Sequence, residues 1–298
     1  MSEPLITFAI PFYSTPEYLR KAIDSVRAQT RSDWLLLVND DKSPHAGIRE
    51  LCESYNDPRI RYACNEQNLK QAGNWNRCLE QVTTPYVTLL HADDELLPNY
   101  AEAMLSNMEK FPEASGLFCQ CKIIDGVGKE IFSFVDFYKV QFLLPSKTEA
   151  FELKGEAGLE TLLHGNIIMC PTVCYRRSQL KGLKFSADWK CAPDLDYFTR
   201  LILAGGSLVG IPDLAFAYRR HEESGTAVTQ RNRTMFDEEI RLFEKLRADA
   251  EGKGWKKAAA LAKDKMIVKK RIVFNALQDL LALRVGSSVE KLRMAISA

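Results

Sequence analysis

The chain has 298 residues, 46% of them hydrophobic and 27% charged, with a formal net charge of +1. That balance excludes wholesale disorder and gives no global attraction to nucleic acid. No apolar run approaches the ~20 residues that span a bilayer, and no basic-then-apolar leader opens the sequence, so a cytoplasmic protein is expected. The eight cysteines form no C-x-x-C pair, which favours reduced core thiols over zinc or disulfides.

Residues 5–12 are an apolar run rich in β-formers and predict a strand. Pro16 then suits the first turn of a helix, with Leu19, Ala22, Ile23 and Val26 at helical spacing. The continuous apolar run 34–38 predicts a strand buried on both faces, followed by a helix over about 46–55 and a strand over 59–64. Ala72, Trp75, Leu79 and Val82 mark the next helix, 86–90 the next strand, and Pro98 opens a helix through Met104, Leu105 and Met108. This alternation predicts an α/β fold with a mostly parallel sheet flanked by helices. Ligands in such folds bind beyond the carboxyl ends of the strands, which is where 39–41 and 91–94 fall.

The second half is less regular. Residues 116–124 and 214–218 predict strands, and 158–163 and 195–203 predict helices. The aromatic segment 131–144, with Phe132, Phe134, Phe137, Tyr138 and Phe142, reads first as core packing, with a sugar-stacking platform as the alternative. From residue 234 onward only helix signals remain: one through Phe236, Ile240, Phe243 and Leu246, then one or two over 255–283 ending at Gly286-Ser287-Ser288. The division expected is a catalytic body, 1–230, and a helical C-terminal appendage, 231–298. Residues 251–298 hold 11 Lys/Arg against four acids, net +7, which leaves −6 for the rest. Those basic helices read either as packed on the body with a solvated face, or as a contact with an anionic membrane or a protein partner.

Asp93 and Asp94 adjoin at a strand's end, where like charges repel and require a cation or open water. A solvated turn capping the following helix is the plainer alternative. Asp40 and Asp41 form a second acidic pair on the same predicted edge. Oxygen ligands of this kind suit Mg2+ or Mn2+ together with a diphosphate, which an all-acidic pocket would otherwise repel.

The string Ile10-Pro11-Phe12-Tyr13, then Ser25-Val26 and Gln29-Thr30, then Val38-Asn39-Asp40-Asp41-Lys42-Ser43 resembles the N-terminal signature of the family 2 glycosyltransferases with a GT-A, Rossmann-like fold. The resemblance continues through Asn68, Gly73-Asn74-Trp75-Asn76, His91-Ala92-Asp93-Asp94, Asp194 to Arg200, and Tyr218-Arg219-Arg220-His221. It implies an inverting enzyme that moves a sugar from a nucleoside-diphosphate sugar, with UDP the leading base, to a saccharide or lipid-linked saccharide hydroxyl; with the basic C-terminal helices on a membrane, the enzyme would sit at its inner face. Asp194 would be the catalytic base. Pro11, Phe12, Tyr13, Asp41, Asn68, Lys70, His91 and Asp93 would bind the nucleotide sugar. Asp94, Asp93 and His221 would hold Mn2+ or Mg2+. His91 and Pro193 depart from the family pattern, which more often has Asp and Glu there. Arg200 is read as half of a structural ion pair. A catalytically silent, sugar-nucleotide-binding scaffold is the rival. A dinucleotide oxidoreductase is excluded, because no G-x-G-x-x-G follows the first strand.

Overall fold

The computed structural model describes residues 3–221 and 234–297, so the expected division at residue 230 lies outside the described residues. The first half alternates as the sequence predicts: β1 Ile6–Phe12, α1 Pro16–Arg27, β2 Trp34–Asp40, α2 Ile48–Glu53, β3 Ile60–Cys64, α3 Lys70–Gln81, β4 Tyr86–Leu89, β5 Glu95–Leu96 and α4 Tyr100–Lys110. The second half runs β6 Gly116–Ile124, α5 Phe134–Tyr138, a π-helical turn Lys139–Leu143, β7 Phe151–Lys154, α6 Gly155–His164, β8 Val173–Arg176, α7 Pro193–Leu203 and β9 Ser207–Arg219. Four helices follow: α8 Thr234–Gly252, α9 Lys256–Asp264, α10 Met266–Leu281 and α11 Val285–Ser297. No helix among the described residues is long and apolar enough to cross a membrane.

The nine strands form one sheet in the order β3-β2-β1-β4-β8-β6-β9-β5, with β7 added to β9. The long registers are parallel, β1 with β2, β1 with β4, β2 with β3 and β6 with β9. The antiparallel β8 bridges β4 and β6. Two antiparallel steps restore the original direction, so β6 and β9 point the same way as β1. The carboxyl ends of β1, β2, β4, β6 and β9 therefore share one edge.

Successive side chains of the buried strands serve opposite faces. Phe8, Ile10, Leu36 and Val38 pack under α1 and α4 with Leu19, Ile23, Met104 and Met108. Ala9, Leu37, Val87 and Leu89 face the other layer, with Trp75, Leu159, Leu162 and Phe198. That second core continues into the C-terminal helices through Phe236, Phe243, Leu246, Ala258, Val268 and Ile272. Glu156 of α6 also caps α9, accepting from the backbone N–H groups of Lys257 and Ala258 at 2.7 and 3.2 Å. The basic helices thus pack on the body.

Three expectations change. β9 begins seven residues before the predicted 214, because Pro212 lies where its register with β6 jumps from Phe118↔Gly210 to Gln120↔Leu214. The ladder bulges there, so the missing proline N–H leaves no gap. The last two helices break at Leu283 (φ 58) rather than at 286–288. Asp279 pins the turn by accepting from Ser287 Oγ at 2.5 Å and Lys291 Nζ at 2.7 Å. The aromatic segment is not core: Phe132 and Phe142 are 74% and 70% exposed, and the buried residue of α5 is Asp136.

Candidate active site

The loops after β1 and β4 and the residue pair beyond β9 meet at the shared edge. A cleft of about 180 Å3 there is lined by Pro11, Tyr13, Trp75, His91, Asp93 and His221 among others. Thr15, Lys42 and Lys70 hold left-handed backbone conformations in the loops of this edge (φ 65, 56 and 62). Such local strain in non-glycine residues concentrates at functional sites.

His91, Asp93 and Asp94 offer ligand atoms that all lie within 4.8 Å of one another. His91 Nε2 and Asp94 Oδ2 are buried and have no hydrogen-bond partner among the described residues. Orphaned polar atoms of this kind require an explanation, and a divalent cation with nitrogen and oxygen ligands satisfies both. Burial pushes the His91 pKa down, which keeps its nitrogen neutral and free to ligate. Burial, then the neighbouring Asp93 charge, pushes Asp94 well above the carboxylate range. Burial also opposes the Asp93 charge, but the hydrogen bond from His221 and the nearby His91 more than offset it, and its pKa lies below the usual value. One acid is held ionised and its neighbour resists ionisation; a bound cation relieves that conflict.

His221, expected among the metal ligands, donates from Nε2 to Asp93 Oδ2 at 3.0 Å and orients that carboxylate. Its ring packs edge-on to Tyr18 at 5.0 Å. His91, expected on the donor sugar, supplies the nitrogen of the ligand group.

Arg219 underpins the loop, and sequence reasoning missed it. It is 1% exposed. Its guanidinium donates to Asp93 O at 2.7 Å, to Asp125 O at 2.8 Å and to the Glu95 carboxylate, while its backbone N–H donates to Asp94 Oδ1 at 2.8 Å. One residue at the end of β9 thus ties together the loop after β4 and the turn after β6.

Asp194 lies in the first turn of α7, half-buried, and accepts from Asn166 Nδ2 at 3.0 Å. Burial raises its pKa from the ordinary carboxylate value, against the pull of the Leu195 N–H, Lys139 and Asn166. An aromatic stack connects it to the edge. Trp75 stacks on His91 at 5.1 Å, Phe185 packs edge-on to Trp75 at 4.9 Å, and Tyr197 of α7 stacks on Phe185 at 4.0 Å. Asn76 pins Phe185 through both backbone groups, at 2.9 and 2.8 Å. Cys170 sits where the charges of Asp194 and Asp94 are both felt; after burial, these raise its thiol pKa.

The remaining predicted residues lie apart from the ligand group. The Phe12 ring is fully buried in the core, and its carbonyl accepts from the Asp41 N–H at 2.8 Å. A ring at the end of a doubly buried strand has no route to the cleft. Asp41 is also buried, with Oδ1 bonded to Asn65 Nδ2 and the Leu69 N–H, both at 2.8 Å. Asp40 accepts from Ser43 N–H and Tyr62 Oη at 2.7 and 2.9 Å. The Asp40 carboxylate and Asp41 Oδ1 are held by these contacts and shape the loops, apart from the group of His91, Asp93 and Asp94. Asn68 accepts from the Lys70 N–H at 2.9 Å at the start of α3. Arg200 pairs with Asp196, as expected.

Residues 7–161, just over half of the chain, match the family described as Glycosyl transferase family 2. The chain belongs to that family. Family membership makes it a glycosyltransferase. It is 25% identical over 222 residues to an uncharacterized glycosyltransferase of Methanocaldococcus jannaschii, covering 74% of this chain and 72% of that one. It is 31% identical over 110 residues to the UDP-Glc:alpha-D-GlcNAc-diphosphoundecaprenol beta-1,3-glucosyltransferase WfgD of Escherichia coli, covering 37% of this chain and 43% of the relative. Among solved structures, residues 1–349 of S. aureus TarS in complex with UDP-GlcNAc superpose with a TM-score of 0.62 at 14% identity, covering 98% of this chain and 90% of that one. At that identity the likeness establishes the shared fold: a mixed α/β GT-A sheet flanked by helices, with C-terminal helices present.

Proposed function

We propose that this glycosyltransferase transfers a sugar with inversion from a nucleoside-diphosphate sugar, UDP first among bases, to a hydroxyl of a saccharide or lipid-linked saccharide. The observation that carries the proposal is two unlike acidic sites whose charges both reach Cys170. The His91, Asp93 and Asp94 group has unsatisfied ligand atoms, and Asp194 is a single, half-buried carboxylate of raised pKa. A TarS structure in complex with UDP-GlcNAc and the activity for which WfgD is named support UDP and a lipid-linked acceptor.

In this mechanism Asp194 takes the proton of the acceptor hydroxyl. The oxygen attacks the anomeric carbon, and the bond to the diphosphate breaks with its electron pair leaving on the nucleotide. A divalent cation, Mn2+ or Mg2+, held by His91, Asp93 and Asp94 would supply positive charge to the departing diphosphate. His221 orients Asp93 and Trp75 orients His91. Pro11 and Tyr13 line the nucleotide side of the cleft, with Asp41, Asn68 and Lys70 shaping the loops beside it.

The test is a thermal-shift panel of nucleotide sugars with Mn2+ or Mg2+, because a true donor stabilises the fold by mass action. A UDP-sugar is expected to raise the melting temperature only with cation, and Asp94→Asn to abolish that shift. Without cation Asp94→Asn is expected to melt higher than the wild type at neutral pH. A carboxyl whose pKa is raised by folding stabilises only below its unfolded pKa and loses that contribution as pH rises, and asparagine removes the opposing charge. A shift that is unchanged in chelator, or retained by the variant, contradicts the assignment.

The surface of the last two helices fits an anionic lipid bilayer. Leu277, Leu281, Leu283, Leu292 and Ile296 are exposed there, within the segment 251–298 of net charge +7, and such a bilayer complements both properties. Flotation with phosphatidylglycerol vesicles is expected to carry the protein in a salt-sensitive way, and Leu281→Glu with Leu283→Glu to release it. Equal recovery with phosphatidylcholine, or a dimer in light scattering that the same substitutions dissolve, would overturn the lipid reading.

A further inference from the structure

The helix that carries Asp194 begins without a side-chain cap of its own. Ala192 stands at the N-cap of α7 and supplies no side-chain hydrogen bond, and Pro193 follows at the start of the helix. Alanine is among the poorest N-cap residues, and proline fixes only its own φ. The local sequence therefore leaves the direction of the first turn to contacts from elsewhere. Those contacts come from α8. Glu238 is 7% exposed, and its Oε2 accepts from the backbone N–H groups of Lys190 and Cys191 at 2.9 and 2.8 Å. Cys191 lies three residues before Asp194.

Glu238, Arg241 and Lys245 follow at i, i+3 and i+7, so they share one face of α8. Arg241 donates from a terminal guanidinium nitrogen to Asp188 O at 3.1 Å, and its guanidinium lies 4.7 Å from the Trp189 ring centroid. Lys245 Nζ lies 3.5 Å from Asp196 Oδ1, and the other oxygen of that carboxylate pairs with Arg200. Arg200 in turn donates to Lys184 O at 2.8 Å. This face of α8 thus holds the chain at 188, at 190–191 and at 196, on both sides of Asp194. A different face, with Phe236, Phe243 and Leu246, anchors α8 in the second core. A buried carboxylate carries a desolvation cost that an apolar side chain would avoid. What Glu238 brings is direction: one oxygen fixes two consecutive amides through charge-assisted bonds.

We propose, resting on the reading of Asp194 as the base, that α8 is a splint for the catalytic carboxylate and that Glu238 is its positioning residue. Glu238 touches neither substrate nor reacting atoms; it fixes the backbone from which Asp194 reaches the acceptor hydroxyl. An error of about 1 Å in such a placement is enough to lower the rate ~10²-fold. His91, Asp93 and Asp94 stand on the loop after β4, whereas the contacts of this α8 face fall on 188–196. Placement of the base is therefore separable from binding of the donor.

Two measurements on the full chain test this. Hydrogen–deuterium exchange reads the splint: Glu238→Ala is expected to speed exchange over residues 188–197 about tenfold or more, with the loop after β4 unchanged. Release of UDP from UDP-glucose, UDP-galactose and UDP-GlcNAc with Mn2+ reads the consequence. There kcat is expected to fall roughly 10–100-fold while KM for the donor stays within about threefold. Glu238→Gln keeps an oxygen that accepts both N–H groups, and is expected to restore slow exchange and a rate within about fivefold of wild type. Should Glu238→Ala fail to melt cooperatively, the double variant Arg241→Ala with Lys245→Ala replaces it, since neither side chain is buried. It is expected to speed exchange in the same segment and to lower kcat several-fold. A merely structural Glu238 would lower the melting temperature and leave kcat of the folded enzyme unchanged. Unchanged exchange over 188–197, or a kcat equal to wild type, overturns the proposal. If that happens while Asp194→Asn still abolishes UDP release, this inference fails alone. If wild type releases no UDP, or Asp194→Asn releases it at the wild-type rate, the transfer reading fails, and exchange alone then decides whether α8 holds the segment.

Discussion

Asp194→Asn is expected to lower sugar transfer ~10²–10⁴-fold while leaving nucleotide-sugar binding in place. Asparagine keeps the shape and can still meet Asn166 after an amide rotation, so the loss isolates proton transfer from packing. The pH dependence gives a second readout. Burial raises the Asp194 pKa, and the group acts only when ionised, so the rate falls as pH drops through that raised value. The acidic limb is therefore expected above the ~4 of an ordinary carboxylate. Asn166→Ala removes a hydrogen bond that favours the ionised form, and is expected to move the limb to higher pH with a smaller loss at the plateau. Steady-state rates across pH check both. An asparagine variant as fast as wild type would remove Asp194 from the chemistry.

Arg219→Leu is expected to be the most damaging single change to the fold. The substitution leaves the carbonyls of Asp93 and Asp125 and the Glu95 carboxylate without their shared donor, and removes the cation that lies 4.8 Å from the Tyr18 ring centroid. Breaking a buried charge network by deleting one partner typically loses ~3–5 kcal/mol. Whole-domain stability is on the order of 5–15 kcal/mol, so the variant is expected to be marginal at 37 °C. Urea denaturation measures this as a lower midpoint at similar slope. Arg219→Lys is expected to recover little, because one ammonium cannot span acceptors on two separate turns. A midpoint within error of wild type would show that the loop after β4 is held by other contacts.

The strand–helix alternation of the first hundred residues was legible because β1, β2 and β4 are largely apolar runs and the helices between them have apolar stripes. Asp93 and Asp94 stood out for a different reason, since adjacent acids at a strand's end repel each other, and Asp194 stood out through the family pattern that runs to Arg200. Their partners were not legible. Asn166, Arg219 and the Trp75–Phe185–Tyr197 stack act through contacts between residues far apart in sequence, and no local period encodes those. Phe12 and Asp41 carried a family expectation of ligand contact, yet burial places one in the core and ties the other to Asn65 and the Leu69 N–H. The aromatic segment misled in the opposite sense. Its rings alternate with no polar face to reveal that Asp136 would be the buried one, drawn inward by Arg220. The C-terminal helices were readable as amphipathic, but nothing in their pattern announced that Arg271 would pair with Glu239, whose carboxyl feels the charge of Asp194.

The proposed transfer requires a single carboxylate to drive direct displacement at the anomeric carbon of the donor. Proton NMR of the first sugar released from an α-linked UDP-sugar, whether to acceptor or to water, measures that directly. The β-anomer appearing first, and slowing with Asp194→Asn, is the result expected. An α-anomer appearing first would mean a second nucleophile takes part, and would contradict the mechanism.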